Sequence, residues 1–327
     1  MGISSSLGSS ALLPAGLGFR NAIINGGFDV WQRGTTVSPA SGYGYTTDRW
    51  QAYSYAASAT TVTRTAFTAG TILGVHSPQF HARINSTSTA MYFEQRIEGV
   101  NTFAGQTVTI SFYAKHQTAT SVPLYIEQNF GSGGSATVSV TGKTFSISTS
   151  WDRYTYTFVM PSITGKTIGT SSFLSVYLFS GAVNNYLDLW GFQVEANYQP
   201  TPFEQRPIGV ELALCHRYFQ QYNSSNTATS PPQFPHHIDL SSRGEVALVY
   251  NEKRTNPTIT VGGTIGNHQF QVLTTGTTYN ASAYGGTFVG TGTTAAIMFF
   301  TNTGIPANSI AVYIISGDAT INISAEL

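Results

Sequence analysis

The 327 residues predict an all-β protein: two β-domains joined by a proline-punctuated linker and one short helix. Three observations carry that expectation. Short runs rich in Val, Ile, Thr, Tyr and Phe recur along the chain with Gly, Asn, Asp and Ser between them, the pattern of half-buried strands and turns. Only 9% of the residues are charged, against about 25% in an ordinary globular domain, so serine and threonine hydroxyls must do much of the solvating. A helical period emerges convincingly in one place alone, after Pro207.

In chain order, residues 1–19 form a Gly/Ser-rich arm with two small apolar patches, Leu12–Leu13 and Leu17–Phe19. Such a segment cannot hold a fold by itself and is either disordered or docked on a partner. Gly2 and Ser6 match the permissive myristoylation pattern, while a flexible or docking arm explains the same residues. In residues 20–50, Asn25-Gly26-Gly27 signals a turn or bulge, and Tyr45–Trp50 closes a loop and opens a strand. Strand-like runs follow at Thr60–Phe67, Gln79–Asn85, Ala90–Ile97, Gln106–Lys115, Leu124–Phe130, Phe145–Ser148, Tyr154–Met160, Phe173–Phe179 and Tyr186–Val194. About nine strands at this spacing read as a two-sheet sandwich over residues 20–197.

The linker and helix occupy 198–222. Pro200, Pro202 and Pro207 interrupt any ladder, and Pro207 stands where a helix can begin. Beyond it Ile208, Leu212, Cys215, Phe219 and Tyr222 recur at steps of four, three, four and three, one apolar stripe on a helix of about four turns. Cys215, the one cysteine, excludes an intrachain disulfide; within the stripe it reads as a small buried hydrophobe, with a reactive thiol as the alternative.

Residues 223–327 form a second, smaller β-domain. Asn223–Pro235 reads as a polar surface loop, and strands are expected at Val246–Tyr250, Thr258–Val261, Gln269–Leu273, Ala295–Thr301, Ser309–Ile315 and Thr320–Ser324. Ile297–Phe300 and Ile310–Ile315 are apolar at every position, so both faces must be covered. A second copy of the chain would cover the outer face, giving a symmetric oligomer; helix 208–222 would do so in a monomer.

Composition narrows the function. With 15 basic and 15 acidic side chains the formal charge is zero, which leaves no electrostatic reach for nucleic acid or an anionic membrane. No window approaches the roughly 18 apolar residues of a membrane span, and the N-terminus lacks the build of a signal peptide. Catalytic signatures such as GxSxG, HExxH or a phosphate-binding glycine loop are missing. Glu94 and Glu98, four apart in a strand, could share a face at about 13 Å, wider than a glycosidase pair, and are expected to decorate a solvated face. The reading is a binder rather than an enzyme.

A resemblance refines this. RNAIINGGFDVWQRG with Asp48-Arg49-Trp50, then FEQRIEGVNTFAGQTVTISFYAK, WDRYTYTF and YLDLWGFQVE, follow the order of a carbohydrate-binding jelly roll common in bacteriophage virion proteins. The join QVEANYQPTPFEQRPIGVELALCHRYF resembles the segment that closes this domain in phage tail-fibre and spike proteins. The resemblance implies a jelly-roll β-sandwich over residues 20–197, and the β-rich, two-face-apolar character of the second, smaller β-sandwich fits the oligomeric tip domains of such fibres by analogy alone. The resemblance also implies a homotrimeric virion protein whose N-terminal arm docks on a tail or capsid protein and which binds host surface polysaccharide. A structural connector and a capsule depolymerase are the alternatives. The charge-poor, hydroxyl-rich composition suits extracellular and virion proteins.

Sugar recognition uses exposed aromatic faces beside amides and hydroxyls. The candidates are Trp50, Tyr53 and Tyr55, then Tyr113, Tyr125 and Gln128, with core packing as the alternative for each tyrosine. Trp31, Trp151 and Trp190 are assigned to the core. In the resembled family the concave sheet carries the binding residues, and a structural calcium site lies at positions matching Asp29 and Asp188. The family's Glu and paired Asp are replaced here by Asp29 and by Leu189 after Asp188, and a turn carboxylate is the alternative. His236 and His237 with Asp239 would suit a transition metal on a threefold axis, although adjacent strand residues face opposite ways.

Overall fold

A computed structural model of the chain describes residues 19–57, 59–87, 91–180, 185–224, 233–240, 243–273, 277–287, 293–301 and 310–327, with the backbone alone for 180, 233–240, 243–244, 286–287, 310 and 312. The chain divides into two compact units, Met1–Glu211 with Leu327, and Leu212–Glu326.

The first unit is a sandwich of two six-stranded antiparallel sheets. One sheet runs β1 (Thr36–Val37), β4 (Thr60–Ala66), β5 (Phe80–Ser86), β12 (Asn185–Glu195), β7 (Thr107–His116) and β10 (Asp152–Val159). The other runs β2 (Gly42–Tyr45), β3 (Trp50–Ser54), β6 (Met91–Glu98), β11 (Phe173–Ser180), β8 (Thr120–Asn129) and β9 (Val138–Ile147). All nine expected strands are present, and the three additional ones precede them in the chain. Alternation builds the core. Val108, Ile110, Phe112 and Ala114 of β7 point inward with Met91, Phe93 and Ile97 of β6 and Leu174, Val176 and Leu178 of β11, while the intervening residues form the two outer faces.

The opening segment Arg20–Trp31 forms no strand. It is threaded along the end of β12 by paired bonds: Asn21 Nδ2 donates to the Phe192 carbonyl (3.1 Å), and Val194 N–H donates to Asn21 Oδ1 (3.0 Å). Asn25 adopts φ +57°; its amide nitrogen donates to the Val30 and Asp48 carbonyls and to Thr47. A Cβ on Gly26 would lie 2.1 Å from the Phe192 carbonyl oxygen, which is why glycine follows Asn25. The Asn-Gly-Gly turn is therefore a packing device.

The helix is shorter than its stripe suggests. The helix α1 spans Ile208–His216, and Phe219–Asn223 is β13. Phe219 and Tyr222 thus leave the proposed stripe, because pairing Phe219–Asn223 in register with Ser324–Thr320 satisfies the backbone on a ladder instead. Ile208 is exposed and Leu212 half-buried; Cys215 alone of the helical stripe residues is fully buried.

The second unit holds a three-stranded sheet, β13, β22 (Thr320–Ser324) and β16 (Thr258–Gly262). Its larger sheet has seven strands: β18 (Thr278–Asn280), β17 (His268–Val272), β21 (Ile310–Ile315), β14 (Gln233–Leu240), β15 (Arg243–Val249), β20 (Ala295–Thr301) and β19 (Ala283–Thr287). All six expected strands occur, and the polar loop expected to reach Pro235 gives way to β14 at Gln233. Between the sheets pack Val246, Leu248, Phe270, Met298, Phe300, Tyr313, Ile321 and Ile323. The all-apolar run in β20 alternates after all: Ala296, Met298 and Phe300 are buried, whereas Ile297 and, on β15, Val249 are exposed.

Candidate functional site

The outer face of the sheet β2-β3-β6-β11-β8-β9 gathers the aromatic and polar side chains that the core rejects. Strand register arranges them in rows running across the strands. Tyr43 pairs with Tyr53 and Tyr53 with Tyr92, and Tyr92 with Phe179. One row over, Gln51 pairs with Glu94, Glu94 with Tyr177 and Tyr177 with Tyr125. A third row holds Arg96, Ser175 and Glu127.

The aromatic rows form a continuous set of ring contacts. Tyr53 meets Tyr43 edge-on at 4.9 Å, Tyr55 at 4.7 Å and Tyr92 at 5.8 Å. Tyr92 continues to Phe179 at 5.0 Å, and Tyr177 stacks on Tyr125 at 5.1 Å. Tyr43, Tyr55 and Tyr125 are the exposed members, and the rings beneath hold them in place. Three of the phenols are raised: that of Tyr43 is pushed up to about 12 by burial first and by the Glu94 charge second. Tyr92 is raised by its hydrogen bond with Tyr55 and by burial, and Tyr177 by burial and by Glu127.

Among these rings lies a carboxylate. Glu94, 5% exposed, accepts from Gln51 Nε2 (2.9 Å), Ser175 Oγ (2.6 Å) and Arg96 Nε (3.1 Å), which makes up for its lost hydration. Far from decorating a solvated face, Glu94 is the fixed centre of the polar row. Glu127 accepts from the Tyr177 hydroxyl at 3.0 Å. Arg96 also lies over Phe173 at 4.6 Å. The assembly offers flat aromatic faces next to oriented hydroxyls, carboxylates and a guanidinium, the groups that grip a sugar's C–H face and its hydroxyls.

Of the expected residues, Tyr53, Tyr55 and Tyr125 come together here. Trp50, Tyr113 and Gln128 do not. Trp50 is 1% exposed and points into the core, stacked on Phe93 at 4.8 Å with its Nε1 donating to the Asn25 carbonyl. Gln128, three residues beyond Tyr125, faces inward and donates to the Pro161 carbonyl at 3.0 Å. Tyr113 lies on the opposite sheet, buried with Leu73, Trp190 and Phe203. Tyr43, Gln51, Tyr92, Glu94, Arg96, Glu127, Tyr177 and Phe179 were missed; a count in twos from Tyr53 reaches Gln51 and one from Phe173 reaches Tyr177 and Phe179, while the others lie on strands that only the sheet order brings alongside.

The calcium expectation does not fit its residues. Asp188 lies in the middle of the other sheet, clasped by Arg83 through two hydrogen bonds (2.7 and 2.8 Å), with His81 at 3.3 Å and Lys115 at 3.6 Å. Burial pushes its carboxyl up, but the bonds from Arg83 and His81 outweigh this and hold it below the usual carboxylate range. Cations already fill the positions a metal would need. The Asp29 carboxyl is pushed up to about 6, by desolvation and then by the Glu211 charge. No cluster of three metal-ligating residues occurs among the described residues, and the side chains of His236, His237 and Asp239 lie outside them.

Residues 20–176 match the family model described as "Carbohydrate binding domain". No curated protein matches the chain. Among solved structures, the N-terminal cellulose-binding domain of Cellulomonas fimi β-1,4-glucanase C is 14% identical, covering 38% of this chain and 84% of its own, with a TM-score of 0.30. The module TmCBM61, solved with β-1,4-galactotriose, is 10% identical, covering 55% of this chain and 100% of its own, with a TM-score of 0.32. The enzymatically active domain of tailspike protein 4 from bacteriophage CBA120 is 14% identical over 54% of this chain but 21% of its own length, with a TM-score of 0.33.

Proposed function

We propose that this protein binds a neutral polysaccharide chain laid across β2, β3, β6, β11 and β8, and that it does so without cleaving it. The observation that carries this reading is the buried Glu94, held by three donors directly beside the tyrosine row. Neighbouring strands lie about 4.8 Å apart, close to the length of one pyranose ring, so each strand offers one ring or one acceptor per sugar. Glu94 and Glu127 give the floor an acceptor-rich character that suits hydroxyls. The match of residues 20–176 to a carbohydrate-binding family supports the same class.

The finer reading is that the chain is a homotrimeric fibre or spike subunit of a phage particle, adsorbing to host glycan, with residues 1–19 docking on a tail or capsid protein. Its supports are the resemblance of residues 193–219 to the closing segment of such proteins and the exposed Val249 and Ile297 on the outer face of the second unit's sheet.

A glycan array tests the binding. Tyr125→Ala and Tyr53→Ala should each weaken binding to the neutral glycans retained by the wild type by about tenfold or more, as expected when a stacking ring worth 1–2 kcal/mol is removed. Unchanged binding by both variants removes the platform from the account. Mass by light scattering on the same sample checks the trimer, and a monomer contradicts it.

A further inference from the structure

The sheet opposite the platform carries a second surface of different chemistry. Register places Thr63, Arg83, Asp188 and Lys115 side by side on β4, β5, β12 and β7. Asp188 is fully buried at the floor, and its two flanking cations reach up to the surface with side chains 32% and 27% exposed. Each cation is paired with a half-buried ring: the Arg83 guanidinium lies 3.8 Å from the centre of Tyr186, and Lys115 Nζ lies 5.6 Å from that of Trp151. Arg83 spends Nε and Nη2 on Asp188 and keeps Nη1. Lys115 stands 3.6 Å from the same carboxylate, beyond good hydrogen-bond distance, so its donors stay available. Two permanent cations face one carboxylate, and the row carries surplus positive charge.

We propose that this row is a second binding site, selective for an acidic group on a glycan, a carboxylate or a sulfate ester. Asp188 orients the cations from beneath. The spare donors of Arg83 and Lys115 take the anion, and the rings of Tyr186 and Trp151 flank the sugar that bears it. The platform on the other sheet, with its carboxylates, disfavours the same ligand. The two sheets would thereby sort neutral from acidic segments of a polysaccharide. This inference stands on residues separate from the platform and does not depend on it.

Affinity electrophoresis of the full chain through gels containing polygalacturonate, dextran sulfate or no polymer tests it. Retardation by one or both polymers is expected, falling about tenfold in apparent affinity for Lys115→Gln and vanishing in about 1 M salt, where screening acts within about 3 Å. Retardation by polygalacturonate alone identifies a carboxylate ligand, and by dextran sulfate alone a sulfate. The double variant Arg83→Gln/Asp188→Asn, which removes a cation and its buried counter-charge together, should lose retardation while keeping the wild-type unfolding temperature to within a few degrees. Neutral-glycan binding, measured in parallel, should be unchanged in Lys115→Gln, so that failure of either site is read separately. Absence of retardation in both polymers, or wild-type retardation of a folded Lys115→Gln, overturns the proposal.

Discussion

Trp50 and Tyr53 stand three residues apart in one strand, and that odd spacing decides their fates. Side chains alternate along a strand, so if Tyr53 faces outward Trp50 must face the core, and likewise Tyr125 outward sends Gln128 inward. Aromatic identity suggested sugar binding for all of them, but parity separates them. Trp50 packs among Phe28, Phe93 and Phe192 with ring centres 4.8 to 5.3 Å away. Trp50→Ala should therefore destabilise the first unit by about 3–5 kcal/mol, the usual loss for an aromatic cavity, read as a lower midpoint in urea. Wild-type stability with lost glycan binding would return Trp50 to the site. Glu94 illustrates the opposite error. A lone carboxylate in a strand reads as solvated, and only the strands brought beside it in the sheet, with Gln51 and Ser175, reveal that it is buried and satisfied.

At the scale of elements, the join after β12 was legible as punctuation but not as a clasp. Arg206, its side chain 2% exposed, donates to the carbonyls of Asn21 and Ile23 and to both oxygens of Glu211 in the first turn of α1. Glu211 in turn accepts from the Asn25 backbone N–H, and Glu204 accepts from Arg20 and Asn21 at 2.7 and 2.8 Å. The motifs RNAIINGG and FEQRPIGVE, both of which carried the resemblance, thus hold the two ends of the sandwich together and take no part in the platform. Glu211→Ala strands a buried guanidinium and an amide donor; it should cost about 3–5 kcal/mol. Glu211→Gln, which keeps an acceptor, should cost less. Equal stability of both variants with wild type in denaturant would contradict the clasp. The helix end was misread for a related reason. Phe219 and Tyr222 fit a helical period, but local pattern is overridden when a partner strand, here Thr320–Ser324, lies 100 residues away in sequence.

At the scale of the whole molecule, every strand expected from alternation and turn residues exists, most within a few residues of its expected ends, and the all-β class follows from them. The pairing that creates the platform was not legible. Tyr53, Tyr92, Phe179, Tyr177 and Tyr125 come from four separate strands, and only the order β3-β6-β11-β8 brings them together. The long-range ladder, not any motif, makes the site. The central claim is accordingly a claim about which face binds. It is tested most directly by hydrogen exchange on the full chain with and without the neutral oligosaccharide it binds most tightly. Slowed exchange confined to Gly42–Ser54, Met91–Glu98, Thr120–Asn129 and Phe173–Ser180 is the predicted result. Protection confined to Thr107–His116 and Asp152–Val159, or to residues after Leu212, would contradict it.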